Sequence, residues 1–230
     1  MGPIKSIKKV NGNCGNVKSF LSFVGSMETR EHILKSAEEL FFRYGVKSVT
    51  MDDIASHLGM SKKTIYLSFK DKDELLSDFV RTFVNRNAGA FEHVCKLSHD
   101  AVDEIFCVMK QLRSMIQKMN PRLFFELQKY YPQAWQQLRD FREKHVAEMI
   151  QKNLEKGIKQ GLYRSDINIV ILAKLRLEEI DMAMNPNTFP MEKFDITQVQ
   201  LTLFEHFLYG ICTLKGHKLV NKHKQIIDEE

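Results

Sequence analysis

A short run of lysines and a tyrosine has the chemistry of a nucleic-acid contact. Lys62 and Lys63 stand at the start of a predicted helix, and Tyr66 follows one turn later. Ammonium and hydroxyl groups donate hydrogen bonds to phosphate oxygens and to base edges. A lysine pair on a short helix is by itself more often a solvated surface, so the elements that position these side chains decide the interpretation.

Two short helices joined by a tight turn are predicted over residues 50–69, TMDDIASHLGMSKKTIYLSF. Thr50 and Asp53 have the spacing of a capping box, and Gly59 stands where a helix often ends in a left-handed conformation. Two helices held at a fixed angle can set the second one into the major groove of DNA.

The second helix of this pair has one apolar and one polar face. Ser61 is its predicted N-cap, and Ile65 and Phe69 lie four residues apart on the face predicted to be buried. The lysine pair and Tyr66 then point outward.

The segment from Thr29 to about Asn87 resembles the DNA-binding domain of the tetracycline-repressor (TetR) family of bacterial regulators. The matching pieces are ILKSAEELFFRYG (33–45), VTMDDIASHLGMSKKTIYLSF (49–69) and KDKDELL (70–76). The resemblance implies a three-helix domain whose third helix, residues 61–69, enters the groove of double-stranded DNA.

The family pattern also implies a role for single residues around the third helix. Lys62 and Lys63 correspond to readers of base edges. Leu67 departs from the larger aromatic or polar residue often found there, and it could touch a thymine methyl group. The remaining implied contacts, at the phosphates or at the helix cap, are Thr50, Ser61, Thr64, Tyr66, Lys70 and Lys72.

Size and composition indicate an all-α globular protein. Its 230 residues are 43% hydrophobic and 27% charged, and five prolines interrupt long runs of helix formers. No apolar stretch approaches the roughly 20 residues that cross a membrane, so a cytoplasmic location without membrane contact is expected.

The net charge of +5 is unevenly distributed. Between Lys62 and Lys72 four lysines face one aspartate, whereas residues 27–87 are neutral in total. Such a small positive footprint favours a few phosphate contacts per half of a dimer over non-specific coating of DNA.

Enzymatic and cofactor chemistry is not expected, because paired carboxylates, a phosphate loop and metal-ligand spacings are all lacking in the sequence. The cysteines, at 14, 95, 107 and 212, are widely spaced. They are expected to be reduced apolar fillers; a redox-sensing thiol is the less favoured alternative.

Three regions are predicted along the chain. Residues 1–26, with four lysines and no acid, are expected to be a disordered extension, with a basic arm in the minor groove as the alternative. Residues 27–87 form the DNA-binding domain, beginning with an amphipathic helix from Glu28 to Tyr44. Residues 88–230 form a larger helical domain for ligand binding and dimerisation.

The larger domain is predicted to hold helices at 101–119, 121–130, 133–160, 168–184 and 197–215. Methionine and aromatic side chains adapt to irregular apolar ligands, although the same residues also make an ordinary core. The candidate pocket residues are Met109, Leu112, Met115, Phe124, Trp135 and Leu138.

The last two predicted helices are apolar over more than one face, which favours a four-helix contact between two chains. Burial of one helix inside a monomer is the alternative. The candidate interface residues are Leu172, Leu175, Phe204, Phe207, Leu208 and Ile211.

The resulting hypothesis is a DNA-binding transcriptional regulator that acts as a homodimeric repressor, binds a palindromic operator and responds to an unknown small-molecule effector. The alternative is a DNA- or protein-binding module of the same fold without an effector. The two differ in sequence preference and in the steepness of their salt dependence.

Overall fold

The chain is an assembly of α-helices. The computed structural model describes residues 14–120 and 122–225, and over these residues it contains no strand, only an isolated antiparallel bridge between Tyr163 and Cys212. The all-α prediction is confirmed. The helices are α1 (Cys14–Tyr44), α2 (Met51–Leu58), α3 (Lys62–Ser68), α4 (Lys72–Leu97), α5 (Ala101–Ile116), α6 (Leu123–Tyr130), α7 (Pro132–Phe141), α8 (Ala147–Lys159), α9 (Ile169–Ala183), α10 (Ile196–Ile211) and α11 (Leu214–Lys224).

The first helix is longer than expected, because α1 begins at Cys14 rather than near Glu28. The backbone of residues 14–26, predicted to be disordered, is therefore helical. Proline is lacking between Cys14 and Glu28, and an isolated glycine such as Gly25 costs about 1 kcal/mol in a helix without ending it. The rest of the predicted extension, residues 1–13, lies outside the described residues.

The predicted boundary between residues 87 and 88 falls inside a helix. Helix α4 continues through this point to Leu97, with Ser98 as its C-cap. One core also joins the two regions, since Leu123 and Leu127 of α6 and Leu138 of α7 belong to the same buried cluster as Ile54 of α2. The DNA-binding region therefore packs directly on α6 and α7.

A second core lies between α5, α8, α9, α10 and α11. Two of the predicted helices in this region are each interrupted. Residues 133–160 contain a π-helical turn at Arg142–Val146, between α7 and α8. Residues 197–215 divide at Thr213, whose side chain accepts a hydrogen bond from the backbone N–H of Gly216 and so begins α11.

Candidate nucleic-acid interface

The turn between α2 and α3 is built as its sequence predicts. The Thr50 hydroxyl accepts from the backbone N–H of Asp53 at 3.1 Å, and the Asp53 carboxylate accepts from the backbone N–H of Thr50 at 2.8 Å. Gly59 has φ 63° and ψ 24°, and its N–H donates to the carbonyls of Ala55 and Ser56. A residue with a side chain pays a steric penalty in this left-handed conformation.

Helix α3 buries one face and exposes the other. The Ser61 hydroxyl accepts from the backbone N–H of Thr64 at 3.1 Å and caps the helix. Ile65 and Phe69 are almost fully buried. On the outer face, Tyr66 is 51% and Leu67 is 78% exposed, so their side chains face solvent.

The lysine pair is exposed, but its two members differ. Lys62 forms an ion pair with Asp52 of α2 at 2.5 Å, and this hydrogen bond raises the pKa of the Lys62 ammonium. Lys63 has neither an ion pair nor a hydrogen bond from its side chain to any of the described residues. Lys63 is therefore the more available cation at the start of α3.

Lys72 does not lie where the phosphate-contact prediction requires. Its ammonium donates to the backbone carbonyl of Val46 and lies 5.3 Å from the centre of the Tyr131 ring. Burial lowers its pKa. The Lys72 side chain therefore turns inward, toward its contacts with Val46 and Tyr131, and its phosphate contact stays a prediction that requires the side chain to rearrange.

Two other predicted phosphate contacts remain on the surface. Lys70 is exposed, with its ammonium 3.8 Å from the Asp71 carboxylate. The Thr50 hydroxyl is exposed, but it already donates to the Asp53 carboxylate at 2.6 Å. Thr50 therefore needs to rearrange before it can donate to a phosphate, whereas Lys70 does not.

Arg30 is a structural residue that the sequence analysis missed. Its guanidinium lies 4.0 Å from the centre of the Phe69 ring and donates to the carboxylates of Glu74 and Asp78 and to the backbone carbonyl of Ser68. Burial alone would lower the pKa of Arg30, but the hydrogen bonds to Glu74 and Asp78 raise it overall. Arg30 thus fixes α3 against α1 and α4.

A cavity of about 610 Å³ lies in the larger helical region. It is lined mainly by apolar and aromatic side chains, and helices α4 to α10 all contribute to it. All six candidate pocket residues are among its lining residues: Met109, Leu112, Met115, Phe124, Trp135 and Leu138. Its volume is within the range of small-molecule sites.

Two arginines are the cations that line this cavity. Arg176 of α9 donates to the Glu179 carboxylate at 3.1 Å, and its guanidinium lies close to the Phe204 and Phe207 rings. Arg142, at the start of the π-helical turn, forms an ion pair with Asp181. Burial lowers the pKa of Arg142 to about 10.

Four of the six candidate interface residues are inside the protomer. Phe204, Phe207, Leu208 and Ile211 of α10 are at most 4% exposed, because their face of α10 packs into the second core. The interface prediction is wrong for these four. Leu172 is partly buried and Leu175 is 47% exposed, so α9 rather than the apolar face of α10 presents an outer apolar surface.

The thiols of Cys95, Cys107 and Cys212 are free. Burial is the largest cause that raises their pKa, to about 11 for Cys95 and about 12 for Cys212. A thiol reacts as its thiolate, so this arrangement does not favour redox sensing.

Across residues 14–120 and 122–225, no group of three His, Cys, Asp or Glu side chains could hold a metal ion. The helices of the same residues are each too short or too polar to span a lipid bilayer.

Comparison with known proteins gives the same assignment for the region around the turn. Residues 33–79 match the family described as bacterial regulatory proteins, tetR family. The uncharacterized HTH-type transcriptional regulator YhgD of Bacillus subtilis is 27% identical over 139 residues, covering 59% of this chain and 72% of YhgD. The HTH-type transcriptional regulator TtgR of Pseudomonas putida is 30% identical over 96 residues, covering 41% of this chain and 44% of TtgR.

The whole fold has solved counterparts. A transcriptional regulator from Saccharomonospora viridis, crystallised in complex with choline, aligns with a TM-score of 0.69 and 22% identity, covering 81% of this chain and 99% of that one. At this identity the likeness concerns the fold. Taken with the capped turn and the exposed face of α3, these matches define a helix-turn-helix DNA-binding transcriptional regulator.

Residues 33–79 therefore form a DNA-binding region of the TetR type.

Proposed function

We propose that this regulator is a homodimeric repressor that binds a palindromic operator and releases it when a small molecule fills the cavity of the larger helical region. The observation that carries the proposal is a cavity of about 610 Å³ whose walls include α4, the helix that continues directly from the DNA-binding region. Through α4, a ligand in the cavity can therefore affect the position of α3.

Helix α3 is the proposed reading element. Its exposed face carries Lys63, Tyr66 and Leu67, and the buried Ile65 and Phe69 fix the opposite face to the rest of the domain. A helix of this kind places three or four side chains on base edges, while neighbouring groups contact phosphates. We assign base contacts to Lys63 and Leu67.

Helix α6 is the proposed link between the cavity and the reading element. Phe124 and Phe125 line the cavity. On another side of α6, the Glu126 carboxylate accepts from the backbone N–H of Lys47 at 2.8 Å, and the Lys47 ammonium lies 3.3 Å from the Tyr130 hydroxyl. Lys47 belongs to the loop between α1 and α2, so a shift of α6 changes the support of α2.

The proposed dimer uses the outer surface of α9. Ile171, Leu175 and Met182 are exposed apolar residues at positions i, i+4 and i+11 of this helix, a spacing that puts them on one face. The neighbouring helix α10 exposes Gly210, which has open space around it, so a partner helix can approach closely there. A two-fold axis through this surface pairs it with itself.

The repression mechanism follows from differential binding. A ligand lowers DNA affinity only to the extent that it binds the DNA-incompetent arrangement of the two reading helices more tightly. Two helices must contact half-sites about 34 Å apart, so even a small change in their separation weakens binding.

Selection of bound fragments from random duplex DNA tests the proposal. We expect an inverted repeat with half-site centres one helical turn apart. A recovered pool without shared sequence, together with binding that depends steeply on salt alone, would contradict sequence-specific regulation.

A further inference from the structure

The charges that line the cavity indicate which class of molecule it takes. Apart from the two arginines, the ionisable carboxylates in its walls are Glu104, Glu178, Glu179 and Asp181. Four acids against two arginines favour a cationic ligand at first sight, so the partners of each carboxylate decide the question.

Each of these carboxylates already has a cation. Glu104 is 2.7 Å from the Lys156 ammonium, and Glu178 is 2.7 Å from the Lys174 ammonium. Glu179 and Asp181 are paired with the two arginines. The cavity therefore offers no carboxylate whose charge is left uncompensated for a cationic ligand.

The two arginines differ in what remains available to a ligand. The Arg176 guanidinium is closed in by Glu179, by the Met109 sulfur at 3.7 Å and by two phenylalanine rings. Arg142 is different, because its Nε is buried and has no hydrogen-bond partner within the described residues. Two acceptors in the same walls, Asp181 Oδ1 and Gln200 Oε1, are also buried without a hydrogen-bond partner, so Arg142 Nε is the one unpartnered donor among these lining atoms. A buried donor without a partner is costly, and an acceptor on the ligand would satisfy it.

The surroundings of Arg142 support a ligand-binding role. It begins the π-helical turn Arg142–Val146, and π-helical turns inside α-helices are frequent at functional sites. Its guanidinium lies 5.8 Å from the centre of the Trp135 ring, which also lines the cavity. Burial lowers the pKa of Arg142, so an additional negative charge nearby would be stabilising.

We propose that the effector is an amphipathic carboxylate whose apolar body packs against the aromatic walls and whose carboxylate accepts hydrogen bonds from Arg142, one of them from Nε. A guanidinium presents two parallel donors that match a carboxylate. The proposal rests on the proposed function, which makes this cavity the effector site, and it adds the chemical class of the effector. An incoming carboxylate also competes with Asp181 of α9 for the same guanidinium.

Three probes with the same tail and different head groups test the head-group preference: dodecanoate, dodecanol and dodecyltrimethylammonium. Trp135 is the single tryptophan of the chain, so its fluorescence reports binding in the cavity, with titration calorimetry as a second measurement. We expect dodecanoate to bind at least tenfold more tightly than dodecanol, and the ammonium compound to bind most weakly. Equal or tighter binding of the ammonium compound overturns the proposal, as does no binding of dodecanoate.

Arg142→Met tests whether the preference comes from this side chain. We expect dodecanoate affinity to fall to that of dodecanol, while dodecanol affinity stays unchanged and shows that the cavity is intact. The matched control is Arg139→Met, since Arg139 is an exposed arginine one turn earlier in α7. A carboxylate preference that survives in Arg142→Met overturns the proposal.

If Arg142→Met also loses dodecanol binding or unfolds, the Arg142→Lys variant tests whether the carboxylate preference depends on the guanidinium. Lysine keeps the charge but lacks the paired donors, so dodecanoate affinity is expected to fall several-fold with dodecanol unaffected. Unchanged dodecanoate affinity in this variant overturns the assignment of Nε.

Operator binding by the unliganded protein is measured separately. If the protein selects an inverted repeat but shows no preference for a carboxylate, only the proposed effector class is refuted. If the protein shows no sequence-selective DNA binding, the proposed function itself is refuted.

Discussion

Lys62 and Lys63 are adjacent in the sequence, yet their ammonium groups have different surroundings. The charge of Lys62 is partly compensated by Asp52, whereas Lys63 faces solvent. Their contributions to DNA binding should differ accordingly, because an ammonium that must leave a carboxylate gains less from a new acceptor.

Lys63→Ala is expected to weaken binding to the selected operator by about 1–3 kcal/mol and to relax the sequence preference at one position. Lys62→Ala should weaken binding less, since it removes a cation that Asp52 already holds. Fluorescence anisotropy at fixed salt measures both. Lys218→Ala, an exposed lysine of α11, is the control and should leave affinity unchanged. A larger loss for Lys62→Ala than for Lys63→Ala would contradict the assignment.

Arg30 makes the DNA-binding region sensitive to acid. The hydrogen bond from Arg30, together with the backbone N–H of Lys70, lowers the pKa of Glu74 below its ordinary value of 4.5. A depressed carboxylate pKa contributes stability above the unfolded value, and this contribution is lost as the pH falls through the folded value. We therefore expect thermal stability to be constant near neutral pH and to decline below about pH 4.5.

Arg30→Met should remove part of that dependence. It is expected to lower the free energy of unfolding at pH 7 by about 2 kcal/mol, because several hydrogen bonds to carboxylates are lost. Arg81→Met is the matched control, since Arg81 also pairs with Asp78 but is 63% exposed, and exposed pairs contribute below about 1 kcal/mol. Equal losses in both variants would mean that Arg30 contributes no more than a surface ion pair.

Among the elements, the turn between α2 and α3 depends on one backbone conformation. Gly59 has a positive φ and open space where a Cβ would stand. Gly89, inside α4, has the same open space without a positive φ. Alanine substitutions at the two glycines therefore differ in the backbone conformation that alanine must adopt and not in steric crowding.

Gly59→Ala is expected to lower the free energy of unfolding by about 1–2 kcal/mol, because alanine is disfavoured in the left-handed region. Gly89→Ala should raise it by up to about 1 kcal/mol, since alanine is the better helix former. Urea denaturation measures both changes. A stabilising effect of Gly59→Ala would show that the turn does not require its left-handed residue.

The capped turn could be predicted because its contacts are local. The capping box joins residues three apart, and the buried face of α3 repeats every four. Lys72 could not be placed in this way. Its acceptor is the Val46 carbonyl, 26 residues away, and the ring beside it belongs to Tyr131 of the larger region.

The same distinction explains the misassigned face of α10. Its apolar repeat is compatible with burial inside one chain or between two chains, and periodicity does not distinguish them. The structure buries Phe204, Phe207, Leu208 and Ile211 because α5 and α9 pack over them. The cavity residues were easier to predict, since they belong to adaptable methionine and aromatic side chains under either arrangement.

At the scale of the whole molecule, the exposed apolar residues of α9 form the surface on which the proposed dimer depends. Leu175 stands in the middle of this surface, and it contributes little to the protomer core because 47% of it is exposed. A charge at this position can therefore disturb association while leaving the fold intact, which a change in the buried face of α10 cannot do.

Leu175→Glu is expected to give monomers in sedimentation velocity experiments, with an unchanged helical spectrum and melting curve for the protomer. In the proposed dimer, two like charges would face each other across the two-fold axis in a surface that excludes water, where unpaired charges are strongly unfavourable. The control is Leu97→Glu, which places the same charge on an exposed leucine at the end of α4, outside the α9 surface. Monomers should also bind a single half-site and a full inverted repeat with similar affinity, because the second reading helix is no longer held about 34 Å from the first. A Leu175→Glu protein that remains dimeric and still prefers the full repeat would place the two-fold contact on another surface of the chain.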